Sequence, residues 1–197
     1  PKPLPEGWLA VKSLDLEAQG VAHRPDGKVV FIEGAVPGDV VDVQLKKNKA
    51  DWAEGFVVAY RSYSEDRVQP FCAHFGVCGG CQWQMLPYAK QLVYKQQQVT
   101  DNLSRIGRIQ LPDIQPIIGA SQTELYRNKM EYTFATKKYI PSELFREMKA
   151  AGADFSNQPG AAGFHVRGFF DKVVEIDTCH LQEEPTNFIR KMVAKYA

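Results

Sequence analysis

The stretch Lys28-Val29-Val30-Phe31-Ile32, the turn Pro37-Gly38-Asp39 and the stretch Val40-Val41-Asp42-Val43-Gln44-Leu45 decide how the first third of the chain reads. Two short runs rich in β-branched residues flank a Pro-Gly-Asp turn. That is the pattern of paired strands, and no helical period persists for more than a few residues. Working outward, the same signature recurs at Trp8–Ser13, Gly20–His23 and Ala53–Tyr60, with Pro25-Asp26-Gly27 as a further turn. Five short strands in about fifty residues predict a small five-stranded barrel of the OB type, a fold that closes its edges and often presents one face to oligonucleotides. A barrel that serves only as a spacer fits the same pattern.

Downstream the pattern changes. Pro87–Ile106 carries Leu92, Val99, Leu103 and Ile106 on one face, with Pro87 at its start and Gly107 past its end, which predicts an amphipathic helix. Tyr126–Ala135 alternates and predicts a strand, with Arg127, Lys129, Glu131 and Thr133 on one face. Gly163–Ile176 reads as a strand or a bent pair around Gly168. Ser142–Ala151 reads as a helix with Ser142 as N-cap and Gly152 as terminator, and Pro185–Ala197 as another that runs to the last residue without a stop signal. Gly152–Gly163 is of low complexity and predicts a loop. The expected class is mainly β to α+β. A barrel at residues 1–65 precedes an α+β domain at 66–197 with antiparallel strands, and the 87–106 helix belongs to the second domain.

Composition narrows the function classes. With 197 residues, 44% of them hydrophobic, the chain can bury one core or two small ones. Its apolar runs fall far short of the roughly 20 residues of a membrane helix. The start Pro1-Lys2-Pro3-Leu4-Pro5 lacks the features of an export signal, so a cytoplasmic location is expected. The net charge is only +1, from 24 Lys and Arg against 23 Asp and Glu. Residues 1–60 hold 7 basic and 9 acidic residues, net −2, so any nucleic-acid contact must rest on local faces.

Four cysteines carry the chemistry. Cys72, Cys78 and Cys81 are spaced C-x5-C-x2-C, and Cys179 follows 98 positions after Cys81. In a reducing compartment such thiols point to metal ligation or catalysis rather than disulfides. Four thiolates and no spare are what a 4Fe-4S cluster takes up, and Gly79 and Gly80 let backbone N–H groups approach the sulfurs. Structural zinc is the main rival, although zinc sites usually pair two short-spaced knuckles. A thioredoxin-like Cys78–Cys81 couple is the third reading, but no βαβ unit surrounds it.

The run Pro70-Phe71-Cys72-Ala73-His74-Phe75-Gly76-Val77-Cys78-Gly79-Gly80-Cys81-Gln82-Trp83-Gln84 resembles the cluster signature of the RumA-type RNA uracil-C5 methyltransferases. Tyr88-Ala89-Lys90-Gln91-Leu92, Tyr126-Arg127-Asn128-Lys129, Gly163-Phe164-His165 and Val174-Glu175-Ile176-Asp177-Thr178-Cys179 resemble later landmarks of that family in the same order, and residues 8–61 are similar to its N-terminal TRAM domain. Residues 137–162 match no landmark and read as an insertion. The resemblance implies a structural 4Fe-4S cluster on Cys72, Cys78, Cys81 and Cys179, and an S-adenosylmethionine-binding C-terminal methyltransferase domain that this chain lacks. The chain is then expected to be the RNA-targeting half of the enzyme, inactive alone, with 23S ribosomal RNA as partner and neither a membrane nor an obligate protein partner. It further implies that the 87–106 helix packs partly against the missing domain, which would leave some of its apolar face exposed.

Two other classes fit part of this pattern. A radical S-adenosylmethionine enzyme would use C-x3-C-x2-C and keep one iron free of protein, whereas the first gap here is five and the cysteines number four. A stand-alone RNA-binding module is the other. Arg127, Lys129, His165 and Arg167 are the candidate RNA contacts, on the expectation that their strands pair side by side.

Overall fold

The computed structural model describes residues 8–156 and 158–196. The reading of the opening Pro1–Pro5 and the last position of the 185–197 helix lie outside them. Alternation along the strands builds the first core. In β4 (Val29–Glu33) Val30 and Ile32 are fully buried while their neighbours are half-exposed, and in β5 (Val40–Asn48) Val41 and Val43 point the same way. Ala22 of β3 (Gly20–His23) and Ala53 of β6 (Trp52–Ser62) complete the inner surface, together with Leu9, Val11 and Ala35. At Gly55 a Cβ would stand 2.5 Å from the Gln44 carbonyl oxygen, so the β5–β6 pair closes only because that position is glycine.

Among the described residues the first sheet has six strands where the sequence predicts five. The expected Trp8–Ser13 strand splits into β1 (Leu9–Ala10) and β2 (Ser13–Leu14), because the backbone changes partner between them. Val11 N–H donates to the Asp39 carbonyl and Lys12 N–H to that of Val21. β1 pairs with β5, β2 pairs with β3, and the sheet order is β1-β5-β6-β4-β3-β2, with β4–β6 the parallel pair. The two edge strands are therefore two halves of one bent segment. Three register shifts in the β5–β6 pair add local twist.

The chain divides into two compact units. One takes in the chain up to Gln69 together with Met85–Gly119, and the other Pro70–Gln84 together with the chain from Ala120 onward. The first helix, α1 (Tyr88–Asp101), continues through a π-helical turn at Asn102–Ile106 and ends at Gly107. The sequence reading grouped this helix with residues 66–197. In the structure it shares a unit with the six-stranded sheet: the Gln98 side chain donates to the Asp15 carbonyl, while Lys90 and Tyr94 hold Asp66 at 2.8 and 3.0 Å. No residue of α1 is buried, and Val99, Leu103 and Ile106 are exposed, as the implied uncovered face requires.

The second unit is built on an antiparallel sheet in the order β7 (Thr133–Ala135), β8 (Ala161–His165), β9 (Val173–Glu175). The predicted Tyr126–Ala135 strand survives only as β7. Upstream of it Leu125 and Arg127 give their N–H groups to the carbonyls of His180 and Leu181, which replace the ladder that alternation suggested. β8 and β9 form the bent pair expected around Gly168. Helix α2 (Ser142–Ala150) begins one residue earlier than a Ser142 cap would give, since Pro141 occupies the cap and no side chain bonds there. Helix α3 (Glu184–Ala194) has Pro185 in its first turn.

Candidate functional site

The loop Pro70–Gln84 presents three of the cysteines, and backbone bonds shape it locally. Phe75 N–H donates to the Cys72 carbonyl and Cys78 N–H to that of His74, while Cys72 N–H is received by Gln84 Oε1 at 3.2 Å. The β8–β9 hairpin holds the far side: Gly79 N–H donates to His165 O, Arg167 N–H to Val77 O, and Arg167 Nη2 reaches the Cys81 carbonyl at 2.5 Å. The fourth cysteine follows β9 and is gripped by α3. Asn187, 2% exposed, accepts from Cys179 N–H at 2.9 Å and donates to the Cys179 and Gln182 carbonyls. His74 Nε2 accepts the N–H of Asp177 at 3.0 Å and so ties the two cysteine segments directly.

All four thiols are free. Cys72, Cys78 and Cys81 are half-buried and Cys179 is buried. Burial pushes the Cys78 thiol up, opposed by the Gly80 N–H that approaches its Sγ at 3.4 Å, with further upward pressure from Cys81, Cys72 and Cys179. Burial also raises Cys81, against the Gln84 side chain, with Cys179 and Cys72 adding to the rise and Arg127 resisting it. Each of these two thiols thus lies within electrostatic range of the other three cysteines. A chain separation of 98 residues has been closed. Among the described residues no three His, Cys, Asp or Glu side chains stand close enough to hold a metal ion. Tetrahedral zinc, with Zn–S near 2.3 Å, would need sulfurs about 3.8 Å apart. The donor set is four thiols, the ligand type and number that a 4Fe-4S cluster takes up.

The four candidate RNA residues do not share one strand face. His165 ends β8, where its Nε2 lies 3.0 Å from Thr133 Oγ1 and its ring stacks on exposed Phe170 at 5.5 Å. Arg167 sits in the hairpin and clamps the Cys81 loop. Arg127 and Lys129 lie outside any strand; Arg127 Nε turns to the Lys129 carbonyl, and Lys129 pairs loosely with Glu131 at 3.8 Å. Sequence reasoning missed His74, Asn187 and Arg190. Asn187 carried a signal, because asparagine is a poor helix former at an internal helical position.

It also discounted the barrel on net charge. On the outer face of the six-stranded sheet Phe31 and Trp52 meet edge-to-face at 6.3 Å, and Lys46 Nζ stands 5.4 Å over the Phe56 ring. The acids there are engaged, Glu33 by Lys46 and Glu54 by Lys47. Aromatic rings interleaved with lysines make a surface suited to stacking bases beside phosphates.

Residues 9–58 match the family model described as the TRAM domain. The match spans the six-stranded sheet up to Val58 of β6. Over 92% of its length the chain is 48% identical to the "Uncharacterized RNA methyltransferase" of Bacteroides thetaiotaomicron, covering 38% of it, and 45% identical to the protein of the same name from Porphyromonas gingivalis, covering 39%. Over 68% of its length it is 45% identical to the 23S rRNA (uracil(1939)-C(5))-methyltransferase RlmD of Albidiferax ferrireducens, covering 29% of that protein. The chain thus spans less than two fifths of the length of these curated relatives. Among solved structures, the tRNA (uracil-54, C5)-methyltransferase of Pyrococcus abyssi with S-adenosyl-L-homocysteine shares the fold, at a TM-score of 0.52 and 17% identity, over 95% of this chain and 36% of the archaeal one. Among the described residues no helix is long and apolar enough to cross a membrane.

Proposed function

We propose that this chain is the RNA-targeting part of a cytoplasmic, S-adenosylmethionine-dependent RNA uracil-C5 methyltransferase acting on 23S ribosomal RNA, and that Cys72, Cys78, Cys81 and Cys179 hold a structural 4Fe-4S cluster. The observation that supports the reading is four free thiols, with Cys78 in electrostatic range of the other three, in a chain whose relatives are named RNA methyltransferases. Methyl transfer to uracil C5 needs a nucleophile to add at C6, and every cysteine of this chain is committed to the constellation, so this part binds and positions RNA and the chemistry resides elsewhere. When bound, the cluster cross-links the Cys72–Cys81 loop to the Cys179 segment. The protein's own share is to hold those segments in register: His74 bridges them, Arg167 and Gln84 fix the loop, and Asn187 fixes Cys179.

Anaerobic purification with iron and sulfide assays tests this reading. About four irons and four sulfides per chain, with a brown colour, is the expected outcome. One equivalent of zinc with no sulfide would remove the cluster from it.

A further inference from the structure

On α3 and the β9 end of the second unit lies an open cleft of about 440 Å³. Its charge is unbalanced. Lys138 is matched by Glu175 at 2.5 Å and Lys191 by Asp177 at 3.0 Å, while Arg190, within electrostatic range of the Asp177 carboxylate, and Lys195 form no ion pair among the described residues. Arg190 is only 5% exposed. Its Nη2 donates to the Asp177 carbonyl at 2.6 Å and its guanidinium, hydrogen-bonded to Tyr132, stands 5.9 Å from that ring, yet its buried Nε has no acceptor. A buried donor on a permanent cation is costly to leave unmatched, and the acceptor that offsets it best is an anionic oxygen. The volume falls within the roughly 300–1,000 Å³ of small-ligand sites, so it admits a nucleotide and not merely an ion, and Ile176 and Ala194 give the sugar an apolar wall.

We propose that this cleft is a phosphate site for one nucleotide of the RNA backbone, with Arg190 Nε as the donor and Lys195 as the counter-charge. The proposal rests on the RNA-binding reading above and adds to it a place that the strand-face argument did not reach. Because Asp177, two residues before Cys179, lines the cleft and gives its carbonyl to Arg190, a phosphate held there would sit close to the support of the fourth cysteine.

The test uses the complete chain, prepared without air, in two arms. In the first, the Nε–Hε signal of Arg190 is followed by NMR during titration with an RNA stem-loop and, separately, with inorganic phosphate at matched concentration. In the second, fluorescence anisotropy gives the slope of log affinity against log salt for wild type, Lys195→Ala and Arg190→Lys. Lys195 is exposed, so its replacement leaves the fold intact. The expected result is that RNA moves the Arg190 signal, that inorganic phosphate does so only at far higher concentration, and that Lys195→Ala flattens the slope by about one unit. Arg190→Lys should weaken binding although charge is kept, because the Nε donor is gone. RNA binding with an unmoved Arg190 signal and an unchanged slope overturns the cleft while leaving RNA binding in place. A response to inorganic phosphate with no RNA binding overturns the backbone assignment together with the RNA reading, and no response in either arm overturns the site outright.

Discussion

Asp39 shows how much one residue of the TRAM segment does. It is fully buried, and its carboxylate accepts the N–H groups of Val36 and Ser64 as well as Nε and Nη2 of Arg67 at 2.8 and 2.7 Å. Arg67 in turn lies over Tyr60 and Tyr63, which stack at 4.5 Å, and donates to the Gly34 carbonyl. Gly38, at φ +91°, makes the turn that delivers Asp39, and the glycine is required there both for that φ and because a Cβ would meet Ser64. Arg67→Ala would leave a buried carboxylate short of its charge partner, so the first unit should lose about 3 kcal/mol, read as a lower urea midpoint. A loss within experimental error would mean that the two backbone donors alone satisfy Asp39. In the sequence the Pro-Gly-Asp turn was legible as a turn, but its aspartate was not legible as a hub, since its partner lies 28 positions away. The four cysteines stand out in the sequence for the opposite reason: a count and a spacing are linear properties. His74, Asn187 and Arg190 act through contacts that close only in three dimensions.

At the level of elements, alternation found the long strands and failed where backbone groups bond outside a ladder. β4, β5 and β6 were visible because one face of each is fully apolar. The alternation of Tyr126–Tyr132 was equally regular, yet Leu125 and Arg127 give their N–H groups to the loop after Cys179. Helix α1 was visible by its period, but its attachment was not, because polar side chains make it. Tyr94 donates to Asp66 and Lys90 pairs with the same carboxylate. Burial and the hydrogen bond to Asp66 push the Tyr94 phenol up to about 12 from an ordinary 10.0. The Lys90 ammonium, with help from Tyr94, holds Asp66 below the usual carboxylate range. For Tyr94 the folded value lies above the unfolded one, so its contribution is complete below pH 10 and disappears as pH rises toward about 12. For Asp66 the folded value is depressed, so its contribution is present above the ordinary carboxylate value of 3.8 and fades as pH falls through the lower folded value. Urea midpoints of wild type and Tyr94→Phe should therefore differ at neutral pH and converge between pH 10 and 12. A gap that stays constant through that window would show that the phenol proton plays no part in docking the helix.

For the whole molecule, the two compact units differ in what stabilises them. The first unit has a contiguous apolar core under a six-stranded sheet. The second unit has three short strands and two short helices, and its buried set includes Gln182, Asn187 and Arg190, polar groups that stabilise only while their partners stay in place. The sequence reading divides the chain at residue 65, and it could not show that residues 85–119 group with the first unit, because such a return leaves no mark on local periodicity. A cluster on the four cysteines would restrain a loop of about 100 residues. By analogy with a disulfide of that span, the restraint is worth up to about 4.7 kcal/mol through the unfolded state. Removing the group, by air oxidation followed by chelation or through Cys179→Ser, should therefore loosen one unit and spare the other. In hydrogen exchange, amides of β8 and β9 such as Val173 should lose most of their protection, while those of Val30, Ile32 and Val43 should keep theirs. Equal loss in both units would show that they unfold as one. Unchanged protection in β8 and β9 would show that the hydrogen bonds of His74, Arg167 and Asn187 suffice to hold the constellation together, and the cluster would then need a role other than that of a cross-link.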